Sequence, residues 1–188
     1  MTMQAGPKGK CAAEKDEATA LWPFMLKIYA APGVAPACLR LQETYGLDIP
    51  LFLAVLHGAV LGKALDAAAI RALDASCAQW RQDVIHPLRR IRTAMKSDAS
   101  LAWNPRVPAL REAIKAQELT AERIEAEVLE ALIRSLPPTA GPAGVKPLQE
   151  AASLVLDLQA PDRAALLPED ARHVCEALAG LEKGCAST

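Results

Sequence analysis

Apolar residues recur every three or four positions between Asp66 and Lys96, at Ile70, Leu73, Cys77, Trp80, Val84, Leu88, Ile91 and Met95. This spacing follows the α-helical period and predicts one long amphipathic helix around which the rest of the chain is organised. Trp80, Val84, Leu88, Ile91 and Met95 share a narrow sector of that helix and predict its buried stripe, with Arg81, Arg89, Arg92 and Lys96 along one edge. Pro87 has no N–H to offer the carbonyl of Asp83, so a kink is expected there.

The same reading places shorter helices before it. One runs from about Ala18 to Tyr29 with Trp22, Leu26 and Tyr29 on one side, and Pro32-Gly33 makes the turn that follows. A second covers Val34 to Tyr45, with Cys38, Leu41 and Tyr45 at helical spacing, and ends at Gly46. Asp48 is a suitable N-cap for a third, whose sequence PLFLAVLHGAVLG is apolar nearly all round and belongs in the middle of a bundle. Within it Gly58 and Gly62 allow a close backbone approach. After the long helix, residues 97–106 form a loop, and a fifth helix extends from near Pro108 to Leu136 with Thr120 as an internal N-cap where the chain bends.

The expected domains are a flexible tail at 1–16, a helical bundle at 17–136 and a Pro/Gly linker at 137–145. Two C-terminal helices at 146–183 dock on the bundle or on a partner, and 184–188 are a tail. The first of these helices carries Leu148, Ala152, Val155 and Leu156. The second carries Val174, Cys175, Leu178 and Leu181, and neither is long enough to hold a fold alone.

Composition agrees with an all-α bundle. Only 4% of the 188 residues are aromatic, whereas a sheet would call for more β-branched and aromatic side chains. The formal net charge of −1 gives no global attraction to nucleic acid or an anionic membrane, so any electrostatic partner must meet a local patch. The most apolar run, Ile49 to Leu65, is interrupted by His57 and Lys63 and is too short for a membrane span. The N-terminus has no apolar core of a signal peptide, and Cys11, Cys38, Cys77, Cys175 and Cys185 form no C-x-x-C pair, which together lead us to expect a cytoplasmic protein with reduced thiols.

Four constellations are candidates for chemistry. The first is the basic edge Arg81, Arg89, Arg92 and Lys96, which suits an anion or a partner protein, unless Glu118, Glu122 and Glu125 on the fifth helix neutralise it from within. The second is Asp83-x-x-His86 with Asp170-x-x-His173, at the spacing of bundle metal ligands. There the acids are short and the first pair turns away from the apolar stripe, so no metal and no cofactor is expected. The third is His57 with Cys38 as base and nucleophile, against which stands the ordinary burial of both residue types. Trp80 and Trp103 complete the fourth, a candidate pocket with His57 and Cys38. Nucleotide, zinc and hydrolase motifs are absent, and no catalytic residue is assigned.

The stretches Leu21-Trp22-Pro23-Phe24, Tyr29 to Val34, Ala37-Cys38-Leu39-x-Leu41-Gln42, Trp80-Arg81-x-x-Val84-x-x-Pro87-Leu88-Arg89 and Leu110 to Arg123 resemble a family of small proteobacterial proteins catalogued as a domain of unknown function, number 2390. The resemblance covers about Leu21 to Leu136 and departs at His57-Gly58, where a bulkier pair is expected. It implies a bacterial cytoplasmic helical protein and supplies no activity. Three readings follow. The favoured one is a non-catalytic adaptor or regulator that binds another protein or a second copy of itself. The others are a regulator responding to nucleic acid or a phosphorylated ligand, and an enzyme with a pocket inside the bundle.

Overall fold

A computed structural model describes residues 20–97, 103–139, 144–162 and 167–185. The expected tail at 1–16, part of the loop after the long helix and residues 140–143 of the linker lie outside them. The described residues form α1 (Leu21–Tyr29), α2 (Val34–Tyr45), α3 (Ile49–Val60), α4 (Ala67–Trp80), a π-helical turn (Arg81–Ile85), α5 (His86–Ser97), α6 (Arg106–Ser135), α7 (Val145–Gln159) and α8 (Glu169–Cys185). The fold is all-α, and the described residues contain no strand beyond an isolated bridge between Lys63 and Pro138.

The apolar helix α3 is the hub. Every residue from Ile49 to Gly58 is buried, and α3 packs against α1, α4, α6 and α7. Asp48 caps it, its Oδ1 accepting the Leu51 N–H at 2.8 Å. Gly58 lets α6 come close, since a Cβ there would stand 3.3 Å from Ile133 Cγ2. The C-terminal helices share this core: α7 contributes Leu148, Ala151, Ala152, Val155 and Leu156 against α3, and α8 contributes Ala171, Val174, Cys175 and Leu178, packing on α2 and α7. At the end of α6, the Lys63 ammonium donates to the carbonyls of Arg134 and Leu136, which the helix leaves without internal partners.

α4, the π turn and α5 make one unbroken helical rod, and its distortion takes a different form from a simple proline kink. The His86 N–H reaches back to the Arg81 carbonyl, an i to i−5 bond, one residue before Pro87. The extra residue rotates everything downstream. Before the turn the buried side already reads Ile70, Leu73, Cys77 and Arg81 at ordinary helical spacing, and Ile85 continues it through the turn. This corrects the expected stripe, since Trp80 and Ile91 are 36% and 50% exposed.

Two smaller expectations are also corrected. In α1 the core face is Leu21, Met25 and Ile28, one position round from Trp22, Leu26 and Tyr29. In α6 the helix runs straight through Thr120, whose hydroxyl donates to the Ala116 carbonyl at 2.9 Å instead of capping a new segment.

Candidate functional site

Arg81 opens the π turn one helical turn beyond the buried Cys77 and points into the interior, where it is 5% exposed. Three carboxylates from three other parts of the chain surround it. Arg81 Nη2 donates to Asp74 Oδ1 and to the Asp74 carbonyl, each at 2.6 Å, while Nη1 lies 3.5 Å from both Asp48 Oδ1 and Glu125 Oε1. Gln159, the last residue of α7, ties the group together. Its amide accepts the Asp48 N–H and donates to Asp74 Oδ1, both at 2.9 Å.

One guanidinium cannot neutralise three carboxylates, two of which, Asp48 and Glu125, are buried while Asp74 is partly exposed. Glu125 is 1% exposed and neither of its oxygens has a hydrogen bond. Burial, reinforced by repulsion from Asp48, outweighs the attraction of Arg81 and pushes its pKa up to about 8, so Glu125 carries a proton at neutral pH. Burial also raises Asp48, against the pull of Arg81 and the Leu51 N–H.

Further along the rod, Arg89 and Arg92 face α6. Arg89 donates from Nε to Glu118 Oε1 at 2.9 Å and from Nη2 to Glu122 Oε1 at 2.6 Å, and Arg92 donates from Nε to Glu118 Oε2. Burial raises the Glu118 carboxyl, but the two arginines overcome it and hold the group below its ordinary range. Trp80 fastens the same interface, its indole N–H donating to the Ala121 carbonyl at 3.0 Å. Of the expected basic edge, the structure thus engages Arg81, Arg89 and Arg92 with carboxylates of the same chain and leaves Lys96 exposed.

The other singled-out residues lie apart. His57 is buried with its ring 4.5 Å from that of Phe24. Cys38 meets Tyr29, and burial pushes its thiol up to about 12, which leaves no thiolate to act as a nucleophile at neutral pH. Cys38, Cys77 and Cys175 are free, buried thiols. Trp103 is 76% exposed. Asp83 accepts from Gln79, Asp170 pairs with Arg40, and His173 Nε2 lies 3.0 Å from the Pro32 carbonyl. Among the described residues no group of three or more His, Cys, Asp or Glu is placed to hold a metal, and no helix is long and apolar enough to cross a membrane.

Two cavities flank the ion cluster, and neither is lined by His57, Cys38, Trp80 or Trp103. A polar cleft of about 800 Å³ opens over Asp48, Asp74 and Arg81, bounded by Gln42, Gln82, His86, Arg89, Arg90, Thr93 and Gln159. An apolar crevice of about 180 Å³ lies between α1, α3 and α6. Trp22, Met25, Leu26 and Tyr29 form one side, Ile49, Pro50 and Leu53 its floor, and Leu119 the other side, with Gln42 and Glu122 at a polar end. The sequence reading missed this crevice because it assigned Trp22, Leu26 and Tyr29 to a single face without the neighbouring α6 to complete it.

A family described as a protein of unknown function, DUF2390, matches residues 20–129. The chain belongs to the DUF2390 family. The match begins at α1 and ends within α6, so every residue lining the polar cleft except Gln159 comes from the family segment, in agreement with the resemblance seen over Leu21 to Leu136. Comparison with the curated proteins and with the solved structures returned no match.

Proposed function

We propose that this DUF2390 chain is a non-catalytic protein-binding module, an adaptor or regulator, whose contact surface is the apolar crevice between α1 and α6. The observation that carries this reading is the crevice with its rim: Leu26, Tyr29 and Leu119 are 55%, 37% and 50% exposed around an apolar floor. Exposed apolar side chains gathered round a depression are the usual mark of a contact surface, and one anchor seated in such a pocket commonly dominates the binding energy. A volume of about 180 Å³ suits a single large side chain and falls below the range of ordinary small-molecule sites. At the polar end, Glu122 Oε2 and the Gln42 amide make no hydrogen bond to another described residue. The partner that fits is therefore a protein segment presenting a leucine- or phenylalanine-sized anchor beside a lysine or arginine.

The test is retention of a partner by the tagged protein at low and high salt, compared with Leu26→Asp and Leu119→Asp. Both positions are half-exposed, so the variants keep the wild-type thermal melt. A partner held at high salt by the wild type and lost by both variants supports the crevice. Equal retention by wild type and variants refutes it. If the partner is a second copy, light scattering shows a dimer that the same substitutions dissolve.

A further inference from the structure

We infer that the polar cleft at the π turn is a binding site for a small anion of the phosphate or carboxylate class, held by Arg90 and Arg89. Gln82, His86, Arg89, Arg90 and Thr93 all line the cleft, and their spacing of four, seven, eight and eleven residues puts them on one face of the rod. That face carries hydrogen-bond donors and no carboxylate. Arg90 makes no ion pair with a described residue, and Arg89, with Nε on Glu118 and Nη2 on Glu122, keeps Nη1 for a further acceptor.

The opposite wall holds Asp48 and Asp74, and it does not repel an anion as two free carboxylates would. Asp74 Oδ1 takes hydrogen bonds from Arg81 and Gln159, and Asp48 Oδ1 takes the Leu51 N–H with Arg81 beside it. The anion sits against the rod, where the Arg90 guanidinium offers a charge-assisted forked contact and Arg89 adds its remaining Nη1 donor.

Two connections link this site to the apolar crevice. Gln42 lines both cavities, and the Arg89–Glu122 ion pair joins a wall of one to the polar end of the other. An anion on Arg89 competes with Glu122 for its positive charge, frees that carboxylate for the partner's basic side chain and so favours docking. This consequence rests on the docking reading above. The anion site itself does not.

The experiment is an NMR titration of the isotope-labelled full chain with inorganic phosphate and, separately, with malonate, at constant ionic strength. The expected result is a saturable shift of the Arg89 side-chain Nε–H and the Thr93 amide in the millimolar range with at least one of the two, accompanied by a smaller shift of the Trp22 indole. Saturation with phosphate alone assigns a phosphoryl ligand, with malonate alone a carboxylate, and with both a general anion site. Arg90→Gln, an exposed substitution that disturbs no internal pair, should weaken binding about tenfold with an unchanged melt. Shifts that stay linear for both probes, or equal affinity in Arg90→Gln, overturn the site. Saturable binding with a motionless Trp22 indole overturns the link to the crevice alone.

Discussion

Arg81 and Glu125 stand 3.5 Å apart, both almost wholly out of water, and no hydrogen bond joins them. Because Asp48 and Asp74 already share the guanidinium, Glu125 is more comfortable protonated, with a pKa near 8 in place of its ordinary 4.5. The folded chain therefore holds a proton that the unfolded chain releases between those two values. The stability this provides is complete below pH 4.5 and is lost as pH rises towards 8. Denaturant unfolding across this range should show a decline of roughly 1–3 kcal/mol, and Glu125→Gln, which carries no titrating group, should flatten it.

Removing Arg81 should be far more damaging than removing Glu125. Arg81→Met leaves Asp48 and Asp74 facing each other with no cation between them, a broken buried pair of the kind that costs about 3–5 kcal/mol. Adding Asp48→Asn and Asp74→Asn to Arg81→Met should recover a large part of the loss, because the cost lies in the orphaned charges more than in the missing side chain. The measurement is the denaturation midpoint of the single and triple variants, and a triple variant no better than Arg81→Met would show that packing dominates.

Much of this architecture was legible in the chain because periodicity and capping are local properties. Val34–Tyr45 is bounded as expected by Gly33 and Gly46, both with positive φ, and Asp48 and Asp66 cap the helices they precede. What escaped was everything that depends on partners distant in sequence. Arg81 shares a helical face with the buried Ile70, Leu73 and Cys77, but nothing local reveals the distant carboxylates Asp48 and Glu125 that let a guanidinium sit there. The acidic row of α6 was recognisable at Glu118, Glu122 and Glu125, and its geometry pairs the first two with Arg89 and Arg92. Glu125, however, meets Arg81 with Asp48 and Asp74, residues far from it in sequence, so its altered acidity had no local signature.

Gly33 precedes α2 with φ +78°, and a Cβ built on it would stand 2.6 Å from His173 Nε2. Gly33→Ala should therefore destabilise twice over, through left-handed backbone and through the imidazole that rests against the Pro32 carbonyl, for a total of about 1–3 kcal/mol. In thermal melts, His173→Ala combined with Gly33→Ala should regain only the steric part. Complete rescue would place the whole cost in the contact between α8 and the turn, and none would place it in the backbone.

Glu118 should give the pH profile its second arm, opposite in sign to that of Glu125. Its carboxyl accepts from both Arg89 and Arg92 and titrates below the ordinary 4.5. The stabilisation from a lowered acid is present above the unfolded value and disappears as pH falls through the folded one. Glu118→Gln should thus cost about 1–3 kcal/mol at neutral pH and progressively less as both proteins are acidified below pH 4.5. Since the group is buried between two helices, added salt should shrink the difference only slightly, unlike the exposed pair Arg123–Glu127, whose attraction water and added salt weaken. Paired denaturation curves of wild type and Glu118→Gln, with pH and salt varied separately, decide it. A cost that vanished in salt at neutral pH would mean that the arginines of α5 are held to α6 by surface attraction, and that this face of the rod is free to take another partner.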